Sequence, residues 1–101
     1  MGSRIELQDK LEKLLGSRNV YYQPPENLKM SYPAIQYSRT KIDKKVANNS
    51  AYMLTNCYEI IVIDPKKDNP VIEKLLKLPM CKFDRPYISD NLNHYVFTLY
   101  Y

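Results

Sequence analysis

Three side chains near the carboxyl end of the chain, Asp84, Asp90 and His94, are of the types that bind metal ions or move protons. Their spacing matches no established pattern of metal ligands. A histidine at the start of a strand more often makes a structural hydrogen bond. We therefore predict no metal and no cofactor, and we keep a small metal-dependent enzyme built on these three residues as a rival hypothesis.

A thiol beside an imidazole could act as a nucleophile, and Cys57 with His94 is the pair to consider. Cys57 lies inside an apolar run typical of a strand, where a thiol is normally buried and inert. Phosphate-binding loops are rich in glycine, whereas Gly2 and Gly16 are the two glycines of the chain and neither lies in such a motif. The sequence therefore predicts a protein that is not an enzyme.

A basic segment from Thr40 to Ala51 could contact phosphates or acidic side chains. The candidate interface residues in and around it are Arg39, Lys41, Lys44, Lys45, Asn48, Asn49 and Tyr52. No RNP aromatic motif and no GXXG loop accompanies them. Three interpretations stay open: a solvated hairpin tip, a contact with another protein subunit, and a small basic nucleic-acid-binding module. Ten tyrosines without a tryptophan favour the subunit contact, because tyrosine is enriched at interfaces.

The element that must position these residues is the run from residue 52 to residue 64. Residues 60–63 are four β-branched side chains in a row, and apolar side chains on both faces predict a central strand. Pro65 ends it, because proline cannot donate to a ladder. We expect the longest and most buried strand here, with Tyr52, Tyr58 or their neighbours partly exposed on the sheet face opposite the helices.

Two helices are predicted, one before and one after this strand in the sequence. A capping box from Ser3 to Glu6 predicts a helix from about Arg4 to Leu15, and Gly16 supplies its left-handed stop. A second helix opens with Asn69 as N-cap and Pro70 in the first turn. The buried positions predicted for the two helices are Leu7, Leu11, Leu14 and Leu15, then Val71, Ile72, Leu75, Leu76 and Leu78.

The remaining patterns predict short strands at residues 19–23, 32–39 and 93–101. Residues 80–83 and 87–88 are predicted to flank a turn at residues 84–86. The element order helix, strand, strand, strand, helix, strand, strand indicates an α+β fold. We expect a mixed or antiparallel sheet of about four to five strands, two helices packed on one face and a long β-hairpin arm. With 101 residues the chain forms a single domain.

Composition excludes several classes of protein. The formal net charge of +4 permits a polyanionic partner but falls short of a basic tail. No apolar run approaches the ~20 residues needed to cross a membrane, and no secretion signal follows Met1. Two cysteines do not make a disulfide framework, so a reduced compartment is expected.

Several runs of residues resemble small structural proteins from the morphogenesis modules of long-tailed bacteriophages. These runs are NVYYQPP (19–25), MSYP (30–33), YEIIVID (58–64), LPMCKFDR (78–85), DNLNH (90–94) and FTLY (97–100), with Asp43, Ala47, Asn48, Asn49 and Tyr52 between them. The resemblance covers nearly the whole chain from Leu11 onward. The pattern is similar to that of tail-terminator, or tail-completion, proteins and related head–tail joining proteins.

The resemblance implies a virion structural protein of the tail or neck, present in the host cytoplasm during assembly. Such a subunit forms a ring, usually a hexamer, on the end of the tail tube, stops tube growth and provides the joining surface to the head. Its partners would be further copies of itself, the tail tube protein and the head–tail connector proteins, with no membrane. Genome DNA would pass through the ring without specific recognition. Another head–tail connector or a minor tail protein is the alternative within this class.

Overall fold

The computed structural model describes residues 4–47 and 51–101, with side chains described for all of these except residues 44–47 and 51–54. This part of the chain forms two helices and five strands: α1 (Arg4–Leu15), β1 (Val20–Tyr22), β2 (Ala34–Ala47), β3 (Ala51–Asp64), α2 (Pro70–Leu76), β4 (Cys81–Ser89) and β5 (Leu92–Tyr100). Neither helix of the described residues has the length and apolarity to span a lipid bilayer.

The five strands form one sheet in the order β1-β2-β3-β5-β4. β1 runs parallel to β2, and the other neighbouring strands are antiparallel, so the sheet is mixed. β3 lies at its centre, as its apolar residues predict, although β2 equals it in length at 14 residues. The predicted α+β class, with a mixed sheet and two helices, is confirmed.

Both helices pack on the same face of the sheet, which we call the helix side. Directly opposed residues such as Tyr37 and Ile60, or Ile60 and Phe97, share this face because opposed residues point the same way. One buried cluster unites the helices with four strands: Leu7, Leu11, Val20, Ile35, Tyr37, Tyr58, Ile60, Val62, Val71, Leu75, Phe97 and Leu99. The core therefore lies between the two helices and the helix side.

The helix boundaries agree closely with the sequence prediction. Gly16 follows α1 with a φ of 77°, the left-handed conformation that glycine adopts without strain. The Asn69 side chain accepts a hydrogen bond from the Val71 N–H at 2.9 Å and so caps α2. Ser3, the proposed start of the capping box, lies outside the described residues. Leu76 was predicted on the buried face and is instead exposed, because it lies about 100° around the helix from the fully buried Leu75.

The turn predicted at residues 84–86 is wrong. Residues 81–89 form one strand, β4, with an irregular register between Phe83 and Arg85. Pro86 is tolerated there because β4 lies at the edge of the sheet. The chain turns instead at Asp90 and Asn91, whose φ angles are 52° and 62°. Aspartate and asparagine enter this left-handed region more readily than most residues, so they suit a tight hairpin.

The strand predicted at residues 32–39 ends too early, because residues 40–47 continue it as part of β2. β2 and β3 stay paired as far as Ala47 and Ala51. The β-branched residues Thr40, Ile42 and Val46 recur at even positions and favour a strand despite the lysines between them. The predicted arm would close through residues 48–50, which lie outside the described residues, so a complete hairpin arm stays a prediction.

Tyr58 departs from the expectation of partial exposure. It is fully buried on the helix side of the sheet, where it belongs to the core cluster. Its side chain shares a face with Ile60 and Val62, as strand alternation requires. That face is the one that both helices cover, so tyrosine here contributes to the core and not to an exposed face.

Leu11→Ala tests whether α1 is held by its buried face. Leu11 has no exposed surface, and we expect its truncation to lower the free energy of unfolding by about 2–5 kcal/mol. Ile5 on the same helix is 65% exposed, so Ile5→Ala should change it by about 0.5 kcal/mol or less. Urea unfolding followed by circular dichroism measures both. Equal losses in the two variants would contradict docking of α1 through Leu11.

Candidate assembly interface

The candidate residues lie on the paired strands β2 and β3. Beyond Asn56, whose carbonyl accepts a hydrogen bond from the Tyr101 N–H at 2.9 Å, the described residues of these strands pair only with each other. We call residues 42–47 and 51–55 the distal ribbon. A strand of this length spans about 46 Å, so the β2–β3 ladder accounts for most of the protein's 52 Å long axis.

The structure brings most of the predicted interface onto one ladder. Arg39 and Lys41 lie where the ribbon leaves the sheet, and the backbone of Lys44, Lys45 and Tyr52 lies farther out, with Lys44 opposite Leu54, Lys45 opposite Met53 and Tyr52 opposite Val46. Asn48 and Asn49 fall outside the described residues.

Charge is concentrated on this ladder. Residues 39–58 contain four basic side chains and one acidic one, Asp43, and so carry three of the four net positive charges of the chain. The β3 half of the segment, residues 51–58, has no charged residue. Any electrostatic attraction of an acidic partner would therefore be directed at the β2 half of the ladder.

Lys41 is not a free cation. Its Nζ lies 3.2 Å from Asp43 Oδ1, and the hydrogen bond and charge of Asp43 raise the pKa of Lys41. Both side chains are substantially exposed, so the pair contributes little to stability. Its effect is local, because it neutralises one of the predicted interface lysines.

A row of three tyrosines crosses β1, β2 and β3 at the base of the ribbon. The Tyr22 and Tyr37 ring centroids are 4.9 Å apart, and those of Tyr37 and Tyr58 are 6.0 Å apart. Tyr37 and Tyr58 are buried, and Tyr22 is half-buried. The row forms the end of the core nearest the distal ribbon.

Two arginines rest on this row. The Arg4 guanidinium lies 4.5 Å from the centroid of the Tyr22 ring and donates to the Tyr37 hydroxyl at 3.4 Å. Arg39 lies 5.8 Å from the Tyr58 centroid, and its Nη2 lies 3.5 Å from the Tyr58 hydroxyl. We call these five residues the Arg–Tyr cluster. Among the described residues neither arginine has a carboxylate within ion-pair distance.

A hydrogen-bonded chain ties the cluster to α1. The Tyr37 hydroxyl donates to Gln8 Oε1 at 2.5 Å, and Gln8 Nε2 donates to the Val20 carbonyl at 2.9 Å. Burial raises the pKa of Tyr37, while the hydrogen bond and charge of Arg4 act in the opposite direction. Tyr37 is therefore a neutral donor at physiological pH. Gln8 also covers part of the free edge of β1, since it binds a β1 carbonyl.

The free edge of β4 is a second exposed surface, and the sequence analysis missed it. Nearly the whole strand is exposed, and the large apolar side chains exposed at this edge are Met80, Phe83, Tyr87 and Ile88. The turn predicted at residues 84–86 divides this strand in two, so the sequence analysis did not place these side chains on one strand. The alternation of Phe83, Pro86 and Ile88 with charged or polar residues is the signal that could have revealed it.

The side chains considered for catalysis do not form a site. In residues 4–47 and 51–101 no group of three histidine, cysteine, aspartate or glutamate side chains comes close enough to hold a metal ion. Asp84 Oδ2 accepts from Arg85 Nη1 at 2.7 Å. His94 stacks on Tyr87 with ring centroids 4.5 Å apart, and its Nδ1 lies 3.0 Å from the Leu92 carbonyl.

Cys57 and His94 are far apart along the sheet. Cys57 opposes Tyr100, whereas His94 opposes Ile63, six residues farther along β3. At the rise of an extended strand this separates the two side chains by about 20 Å. The thiol and the imidazole therefore cannot act as a nucleophile and its base within one subunit.

No protein-family model matches the chain, and comparison with curated proteins finds no similar one.

Cys81 provides a test of burial beside the β4 edge. Burial raises the pKa of its thiol from 9.0 to about 11, so the unfolded chain ionises first and stability falls as the pH rises from 9 towards 11. At about pH 8 we expect iodoacetamide to alkylate Cys81 about a hundredfold more slowly in the folded protein than in urea, because thiolate is the reactive form. A Cys57→Ser background isolates the signal, and equal rates would contradict the prediction.

Proposed function

We propose that this protein is a tail terminator of a long-tailed bacteriophage, which caps the tail tube as a ring and provides the joining surface to the head. The observation that supports this most is the distal ribbon, a two-stranded segment beyond the rest of the sheet. The ladder that it extends carries three of the four net positive charges of the chain on residues 39–58. A segment of this kind gains little stability for its own fold, since two strands alone are marginal in water. It is better explained as a contact with another molecule.

A ring of identical subunits needs two unlike surfaces on each subunit, because only a head-to-tail interface repeats around a closed circle. The distal ribbon with the Arg–Tyr cluster is one surface, and the exposed β4 edge is the other. They differ in character, since the first is basic and the second carries apolar side chains. This difference favours a head-to-tail ring over a symmetric dimer.

In this proposal the protein resides in the tail or neck of the virion and in the host cytoplasm during assembly. The partners are further copies of the chain, in a ring of six as the resemblance implies, together with the tail tube protein and the head–tail connector proteins. Genome DNA passes through the ring. A neighbouring connector role uses the same two surfaces and is the alternative within the class.

A nucleic-acid-binding module is the candidate from another class, favoured by the net charge of +3 on residues 39–58. Two observations count against it. Lys41 is neutralised by Asp43, and the tyrosine rings at the base of the ribbon are buried or covered by arginines. Unspecific binding to single strands usually depends on open aromatic faces.

Solution mass and imaging test the ring. We expect the purified subunit to be monomeric or weakly associated, since an exposed surface that mixes charged side chains with a few apolar ones suits a conditional interface. Completed tails should carry a closed ring of copies at the tube end, visible by electron microscopy. One copy per tail, or an open filament of the pure protein, would contradict the proposal.

A shortened variant tests the ribbon. Replacing residues 43–55 with Asn-Gly keeps Ile42 opposite Asn56 and leaves the core ladder unchanged. We expect this variant to unfold at nearly the same temperature as the wild type and to fail in a complementation assay for tail joining. Ile5→Ala serves as a control that changes an exposed residue outside the ribbon. Tail joining at the wild-type level by the shortened protein would refute a role for the ribbon.

A further inference from the structure

We propose that the base of the distal ribbon binds an acidic surface of a partner protein in which carboxylates alternate with apolar side chains. The inference rests on the proposed assembly function and names the chemistry of the partner at that site. The residues that would carry it are Arg4, Arg39 and Ile42, at the junction of α1, the tyrosine row and the ribbon.

The two arginines are already held in place by tyrosines. Each guanidinium is held against a tyrosine ring and a tyrosine hydroxyl, and neither is paired with an acid among the described residues. A planar guanidinium fixed in this way loses little further freedom when it binds a carboxylate. Hydrogen bonding to Tyr58 raises the pKa of Arg39 further, so its charge persists at any physiological pH.

An apolar side chain lies directly beyond the arginines. Ile42 opposes Asn56, which by strand alternation shares the helix side with Tyr58, and Ile42 is 52% exposed. On this ladder no described residue beyond Tyr37 and Tyr58 belongs to the core cluster beneath the helices, so Ile42 lies outside the covered core. The site thus combines two fixed cations with an exposed apolar residue.

This combination fits a protein better than DNA. Affinity for a phosphate backbone grows with the number of unpaired cations that contact it, and Lys41 between Arg39 and the ribbon lysines is paired with Asp43. Ile42 would gain nothing from a phosphate, whereas it would be buried by a leucine or valine of a protein partner. An acidic and apolar protein surface satisfies all three groups together.

Fluorescence anisotropy with defined probes tests the inference on the intact wild-type chain. The first probe is a labelled peptide in which aspartate alternates with leucine, and the second replaces each leucine with serine. A short DNA duplex is the third probe. We expect the aspartate–leucine peptide to bind at least tenfold more tightly than the other two at about 0.15 M salt.

Two arginine substitutions give a matched comparison. Arg39→Gln should weaken binding of the aspartate–leucine peptide about tenfold, as expected for the loss of one charge-assisted contact. Arg85→Gln removes the same charge from β4, where Arg85 is paired with Asp84, and should leave binding within about twofold. Arg39 is exposed, so the variant should fold, and its thermal unfolding is measured alongside.

The outcomes separate this inference from the proposed function. Equal effects of Arg39→Gln and Arg85→Gln, or tighter binding of DNA than of the aspartate–leucine peptide, would overturn the acidic-partner inference even if tails carry a ring. Conversely, tails without a ring would remove the terminator assignment. Selective loss of peptide binding in Arg39→Gln would then still support the site.

Discussion

The antiparallel ladder between β2 and β3 is the interaction on which the rest of the structure depends. Among the described residues it is the one ladder that continues from the helix-covered core into the distal ribbon. Its inner half is fixed by burial of residues such as Tyr37, Tyr58 and Ile60 beneath the helices. The direction of the ribbon is therefore set by the core, since both halves belong to the same two strands. A two-stranded segment attached by a flexible linker would lack this fixed orientation.

The Arg–Tyr cluster lies where the two halves meet and links folding to the proposed contact. Its tyrosines complete the core, its arginines face outward, and Gln8 connects the buried Tyr37 hydroxyl to a β1 carbonyl. Buried polar groups of this kind are favourable only when every member has a partner. Since the Tyr37 hydroxyl both receives from Arg4 and donates to Gln8, the position of Arg4 is coupled to the docking of α1. The same contacts would thus stabilise the fold and orient a binding group.

Local patterns predicted the helices, the central strand and the α+β class, because caps, leucine spacing and β-branched runs act within a few residues. The errors came where tertiary position overrides local preference. Pro86 locally favours a turn, and it fits a strand only because β4 lies at the edge of the sheet. The lysines around Ile42 locally favour a loop, and they fit a strand only because the β2–β3 ladder continues through them. Tyr58 could not be assigned to the covered face without knowing which face the helices occupy. The sequence analysis missed the β4 surface because Pro86 locally favours a turn.

The two lateral edges of the sheet are protected against pairing with a further strand by different features, and this has a consequence for solubility. On β1, Gln8 occupies a backbone carbonyl that an incoming strand would need. On β4, Pro86 offers no N–H, and the pairing register with β5 shifts between Phe83 and Arg85. Such features oppose the edge-to-edge aggregation to which exposed strands are prone. These features disfavour fibrous association of the chain at high concentration, while side chains at the β4 edge stay exposed.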